Sequence, residues 1–199
     1  MQASTLYRKS CDPDEKGLGA DGCVDLARIY ELGRGVPKNP AKAAEILTYG
    51  CNAYSSSSCS VLAGRYLTGT GLVKDEKKDD KKAAELYRRS CGFSPEGCVA
   101  LAAMTSAGKG GLAKGDRDVT SVYWRGCSLT MNHDADIDGS AAVGLMCARA
   151  GAAEVAGKGT DKNPTRALEH FRRACDRGDR PSCDQAKKLA AAAPPPAKH

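Results

Sequence analysis

The run from Cys23 to Cys51 has a counterpart from Cys147 to Cys175, and both span 28 positions from first cysteine to last. Each carries a Gly-x-Gly at the same offset, Gly33-Arg34-Gly35 and Gly157-Lys158-Gly159. Each then carries Lys-Asn-Pro, at Lys38-Asn39-Pro40 and Lys162-Asn163-Pro164. Self-similarity of this kind limits the fold more than composition does. A short unit cannot bury its apolar face alone, so the chain is expected to stack units and to bury each against its neighbours.

Within a unit the pattern is that of a helix pair. Leu26, Ala27 and Tyr30 recur at helical spacing, which predicts a helix A over 22–32. Gly33-Arg34-Gly35 stops it, because glycine tolerates the left-handed backbone of a helix end. Asn39 and Pro40 then supply a cap and a first helical residue for helix B. The same register restarts at Cys59, 36 residues on, with Leu62, Ala63, Tyr66, Gly69 and Gly71. It restarts at Cys98, with Thr105 in place of the tyrosine, and at Cys147, with Ala150, Gly151 and Glu154 where Leu, Ala and Tyr stood. Further B helices are expected from Ala83 to Cys91, capped by Asp79 or Asp80, from Val119 to Cys127, and from Pro164 to Cys175. The predicted fold is all-α, an α/α solenoid of about nine or ten short helices. It forms a single domain over residues 1–192: a partial unit 1–22, units 23–58, 59–97, 98–146 and 147–182, and a terminal helix 183–192. The Pro-rich tail, 193–199, cannot hold a helix. Met1-Gln2-Ala3 runs directly into Leu6 to Cys11, which matches Leu86 to Cys91, so a segment is expected to be missing ahead of it.

Ten cysteines in 199 residues is a high and even number, and their spacing matches no Cys-x-x-Cys metal knuckle. The short gaps Cys51–Cys59, Cys91–Cys98 and Cys175–Cys183 each join the end of a B helix to the start of the next A helix. Cys11–Cys23 and Cys127–Cys147 follow the same logic across longer loops. An alternative pairing joins Cys23 to Cys51 within a unit. The first scheme is preferred because Cys11 and Cys183 find partners only there. Closing a loop of about eight residues contributes roughly 2–3 kcal/mol by chain entropy. Disulfides imply an oxidising compartment. A zinc thiolate site would need four cysteines to converge, and a row of repeats holds them apart.

Net charge is +6, with both signs mixed along the chain and no aromatics interleaved with a basic cluster, which argues against nucleic-acid binding. No membrane span is visible. Only two Phe and one Trp are present, which suits small, closely packed helices better than a sheet sandwich.

The Leu-Ala, Tyr, Gly-x-Gly, basic-polar pair and Ala-Ala elements resemble Sel1-like repeats, relatives of the tetratricopeptide class. The cysteine placement resembles the Helicobacter cysteine-rich proteins of that family, and also mitochondrial intermembrane-space members linked to respiratory-chain assembly. The resemblance implies a superhelix whose concave face is lined by A helices, a periplasmic, secreted or intermembrane-space location, and binding of a protein or peptide. Some cysteine-rich members bind or weakly hydrolyse penicillin-type compounds, which gives a second expectation. No cofactor is implied, and the chain is expected to be a monomer.

If A helices line a groove, Arg28, Arg65, Met104 and Arg149 lie at outward offsets and are the candidate contacts. Tyr30 and Tyr66 recur too regularly to be ligands and read as packing residues. Ser106 and Lys109 match Ser-x-x-Lys, but no Ser-Asp-Asn or Lys-Thr-Gly accompanies them. His133, His170 and His199 are scattered, and none sits near a serine in sequence with a clear carboxylate partner, so no acyl-transfer triad is visible. Asp134, Asp136 and Asp138 before Gly139 copy the first half of a calcium loop, but Leu145 occupies position twelve, where a bidentate acid belongs.

Overall fold

The computed structural model describes residues 11, 22–72, 77–129 and 141–192. The chain separates into two compact units, Met1–Gly97 with Gly108–Leu112, and Cys98–Ala107 with Ala113–His199. The first holds α1 (Gly22–Leu32), α2 (Pro40–Asn52), α3 (Ser56–Thr68) and α4 (Asp80–Ser90). Helix α5 (Pro95–Ala107) enters the second from Cys98 onward, followed by α6 (Asp116–Ser128), α7 (Ala141–Ala156), α8 (Pro164–Asp176) and α9 (Arg180–Ala192). Among the described residues there is no strand. The predicted calcium loop at Asp134, Asp136 and Asp138 lies outside the described residues, as do His133, the tail and nearly all of the partial first unit.

The A helices start earlier than the cysteine register suggests. Helix α3 begins at Ser56 rather than Cys59, α5 at Pro95 rather than Cys98, and α9 at Arg180 rather than Cys183. For α3 and α9 the cause is capping one turn upstream. Ser55 Oγ accepts from the Ser58 amide at 3.2 Å, and Asp179 Oδ2 accepts from the Ser182 amide at 3.1 Å. A capped amide lets a helix begin before its first packed residue. Each of these cysteines therefore sits inside the first turn, not at its edge.

Within a unit, one backbone contact fixes how helix B returns on helix A. The amide of the B-helix cap residue donates to the carbonyl at the tyrosine position of the A helix. Asn39 N reaches Tyr30 O at 2.8 Å, Asp79 N reaches Tyr66 O at 2.9 Å, and Asn163 N reaches Glu154 O at 3.1 Å. The same cap side chains accept from their own first turns: Lys42 N on Asn39, Lys81 N and Lys82 N on Asp79, and Arg166 N on Asn163. Gly69 ends α3 at φ 73°, where its amide closes on the Arg65 carbonyl at 2.7 Å, a conformation that favours glycine.

In the first unit, each helix packs on the next from α1 to α4, and α1 also touches α3; in the second, α6, α7, α8 and α9 pack in succession. The interior is built from small side chains. Ala43, Ala44, Ala63, Ala83, Ala150 and Ala167 are fully buried, and Leu47 and Val143 are the large apolar side chains that reach full burial among the described residues. Cysteine supplies much of the remaining apolar volume. Cys11–Cys23, Cys51–Cys59, Cys127–Cys147 and Cys175–Cys183 are bonded, with Cα–Cα distances of 4.8, 4.6, 4.7 and 4.7 Å. Cys91 and Cys98 are also oxidised, and among the described residues no cysteine is free.

Such short separations restrict the residue preceding each cysteine. A Cβ placed on Gly50 would come within 2.5 Å of Ser58 Oγ and 2.8 Å of Cys23 Cβ. One on Gly97 would come within 2.3 Å of Ser90 Oγ and 2.6 Å of the Cys91 amide nitrogen. At Gly126 the partner is larger, and a Cβ would sit 2.5 Å from Met146 Cγ. Small residues face each other across the bridge, or one glycine makes room for one long side chain. Gly50→Ala is therefore expected to destabilise the oxidised chain by about 1–3 kcal/mol through overpacking. Gly64→Ala, whose added Cβ meets only Tyr87 Oη at 3.7 Å, is expected to leave stability unchanged or raise it by up to about 1 kcal/mol through helix propensity. Thermal melts of the two variants side by side check this.

Candidate functional site

In the second unit, three helices bring charged and aromatic side chains together around one carboxylate. On α8, Arg166, Glu169, His170 and Arg173 fall at i, i+3, i+4 and i+7, so they share one helix face. Ala167, Phe171 and Ala174 form the other, buried stripe, with Leu168, Ala186 and Leu189 packed around Ala167 and Phe171. Helix α6 contributes Tyr123, Trp124 and Arg125, and α7 contributes Arg149 and Glu154.

Glu154 is fully buried, in the slot that tyrosine fills in the first two units. Burying a carboxylate is costly unless hydrogen-bond donors surround it. Three do. Oε1 accepts from Trp124 Nε1 at 3.1 Å and from Arg166 Nη2 at 3.1 Å, and Oε2 lies 2.8 Å from His170 Nδ1. A carboxylate only accepts, which assigns the hydrogen to Nδ1 and leaves Nε2 as the second ring nitrogen of His170. The Arg166 guanidinium also lies over the Trp124 ring, 4.7 Å from its centroid, a cation–π stack. Three helices are thus tied together through one carboxylate.

Two clefts adjoin this cluster. One, of about 490 Å³, is walled by Trp124 and Arg125 of α6 and by Arg166, His170 and Arg173 of α8. The other, of about 640 Å³, is walled by Ser106, Lys114, Asp116, Tyr123, Arg149 and Lys158 among others. Its rim is fixed where the Gly-x-Gly turn meets α6. Thr120 Oγ1 donates to the Lys158 carbonyl at 2.9 Å, and a Cβ on Gly159 would lie 2.2 Å from the Asp116 carbonyl oxygen, so only glycine fits there.

The four expected groove residues separate. Arg28 is exposed on α1, and Arg149 is exposed on α7 in the larger cleft. Arg65 and Met104 do not face solvent: they are 8 % and 5 % exposed. Arg65 turns inward because Glu31 meets it at 3.1 Å and the Gly71 carbonyl at 2.9 Å, an ion pair between successive A helices. Met104 is one of the few long side chains available to fill an alanine-rich core. Tyr66 is buried, as a packing residue should be. Ser106 lines the larger cleft, but its hydroxyl donates to the Ala102 carbonyl at 2.8 Å, the usual bond of a helical serine, so its proton is directed at its own helix. Arg89, in the last turn of α4, donates to the Cys51 carbonyl at 2.8 Å and so satisfies a C-terminal carbonyl of α2.

The Glu154 cluster escaped the sequence reading. The signal was present, because a carboxylate in a slot otherwise filled by Tyr or Thr must find donors. Their identity depends on which faces of α6 and α8 meet. His170 finds its carboxylate 16 residues away. An exposed aromatic pair in the first unit was also missed: Tyr54, 77 % exposed, meets Phe93, 62 % exposed, edge to face at 6.3 Å.

Replacing Glu154 by Ala leaves the half-buried Trp124 and His170 donors without their acceptor, at up to about 1–3 kcal/mol for each donor that water does not reach. Glu154→Ala is expected to lower the melting temperature and to change the emission of Trp124, the single tryptophan of the chain. A variant that melts and emits as the parent does would show that the cluster has no structural weight.

Comparison with known proteins places this architecture. A family model for the Sel1 repeat matches residues 20–53, 56–91 and 146–179, just over half of the chain. The segment with Thr105 and the long loop lies between the last two matches. A protective antigen of uropathogenic Escherichia coli displaying an SLR fold superposes with a TM-score of 0.65 at 15 % identity, over 94 % of this chain and 40 % of that one. Cysteine-rich protein B of Helicobacter pylori is 28 % identical over 65 % of this chain and 86 % of its own, with a TM-score of 0.49. Cytochrome c oxidase assembly factor 7 of Xenopus tropicalis is 28 % identical over 136 residues, 64 % of this chain. The chain spans 55 % of the length of that curated relative. With three matched repeats, the fold of its helices and their cysteine bridges, the chain belongs to the Sel1 repeat family.

Proposed function

We propose that the chain is a non-catalytic scaffold, braced by disulfides, that holds a protein or peptide against exposed side chains of its helices. The observation that carries this reading is the setting of Arg149. It stands exposed on α7 at the wall of the 640 Å³ cleft, whose lining also includes Lys114, Lys158, Tyr123 and the acidic Asp116. Helix α7 is stapled to α6 by Cys127–Cys147, and the cleft rim is fixed by Thr120 and Gly159. A surface held rigid before binding loses little conformational entropy on contact. Repeat proteins of this family are typically protein-interaction scaffolds, which fits a surface rather than a catalytic centre.

The bridges point to an oxidising compartment, and no described helix is long and apolar enough to cross a membrane. A periplasmic or secreted monomer fits both facts. A second reading, an assembly chaperone of the mitochondrial intermembrane space, is favoured by the relative named as a cytochrome c oxidase assembly factor.

Affinity capture from periplasmic and intermembrane-space extracts tests the scaffold and separates its two settings. The parent chain is expected to retain a defined partner that the Lys114→Glu/Arg149→Glu variant holds at least tenfold more weakly. Equal retention by both would remove the cleft from the interface. Nitrocefin is expected to remain intact with the parent chain, and turnover abolished by Ser106→Ala would replace the scaffold with an enzyme.

A further inference from the structure

We propose that the 490 Å³ cleft between α6 and α8 of the second unit docks an acidic segment of a partner protein, with Arg125 and Arg173 receiving its carboxylates. This inference rests on the scaffold reading and gives it a second contact, of stated chemistry, apart from the Arg149 cleft.

The cleft carries a net positive charge. Three guanidinium groups, of Arg125, Arg166 and Arg173, line it together with His170, against one lining carboxylate, Glu169. Arg166 is accounted for: its charge is paired to Glu154 at 3.1 Å and its plane rests on Trp124. Arg125 and Arg173 are not. Among the described residues neither makes an ion pair or a side-chain hydrogen bond. Guanidinium groups gathered in one concavity repel one another, and a low-dielectric wall strengthens that repulsion. An arriving carboxylate turns the repulsion into attraction, and the guanidinium fork meets it with two parallel hydrogen bonds.

Size and lining select a peptide over a single small anion. The volume falls within the usual range for a ligand pocket and far exceeds one carboxylate or phosphate. Trp124 gives the cleft an apolar wall, against which the methylene stem of a glutamate can lie while its head reaches an arginine. The site is preorganised from beneath, because Glu154 fixes Trp124, Arg166 and His170 at once. Arg166 uses one nitrogen on Glu154 and keeps other donors for the cleft.

Trp124 lies in the cleft wall and is the single tryptophan, so its fluorescence reports occupancy directly. The experiment titrates the full oxidised chain with acetylated, amidated hexaglutamate, with hexaglutamine, and with inorganic phosphate. Hexaglutamate is expected to change Trp124 emission saturably, with a Kd that rises as salt is added. Hexaglutamine should produce no saturable change. Arg125→Ala/Arg173→Ala, which breaks no ion pair or side-chain hydrogen bond among the described residues, should melt close to the parent and bind hexaglutamate at least tenfold more weakly. Undiminished affinity in that variant would overturn the site. Phosphate binding as tightly as hexaglutamate would overturn the peptide and leave a small-anion site. The partner captured by the parent chain separates this inference from the reading beneath it. If that partner is lost with Lys114→Glu/Arg149→Glu but not with Arg125→Ala/Arg173→Ala, the scaffold stands and this cleft is not its docking site. If the parent captures nothing at all, the scaffold itself fails, whatever hexaglutamate does.

Discussion

Backbones brought to 4.6–4.8 Å at four of the sulfur bridges govern what the neighbouring sequence can be. At that separation the residues beside the cysteines have almost no volume to share. Gly50 faces Ser58, Ser90 faces Gly97, and Gly126 yields its space to Met146. The alanine-rich interior follows the same geometry, since helices drawn this close admit few large side chains. Alanine burial contributes little transfer free energy per residue. The covalent links supply part of what larger side chains supply in other helical proteins, by limiting the unfolded chain.

The tyrosine slot shows how a repeat can vary without losing its fold. What defines the helix pair there is a carbonyl, which accepts from the cap amide of helix B whether the residue is Tyr30, Tyr66 or Glu154. The side chain is released from that duty. In the fourth repeat it became a carboxylate, and the surrounding helices supplied an indole, a guanidinium and an imidazole to satisfy it. The cluster anchors one cleft through Trp124, while Tyr123, next to it on α6, lines the other. Adjacent residues on a helix point about 100° apart, so one helix serves both sides.

The helices themselves could be read from the chain because their signals are local. Glycine pairs stop A helices, Asn39 and Asn163 cap B helices ahead of proline, and apolar residues recur with helical period. Starts were misplaced where a serine or aspartate cap, at Ser55 and Asp179, lay upstream of the register cysteine. Site residues were harder, because exposure depends on partners distant in sequence. Arg65 looked outward by offset, yet Glu31, 34 residues earlier, draws it in. Among the described residues Arg149 makes no ion pair, and it stays exposed in its cleft. His170 looked isolated because its carboxylate belongs to a different helix.

The bridges Cys11 to Cys23, Cys51 to Cys59, Cys127 to Cys147 and Cys175 to Cys183 each join cysteines that are consecutive in the chain. None of them encloses another. A polypeptide threaded N-terminus first into an oxidising space would meet, for each new thiol awaiting closure, its proper mate as the very next one to emerge. Oxidation in order of arrival then yields the native connectivity by itself, without reshuffling of mispaired sulfurs, and each hairpin is locked to its neighbour before the following one appears.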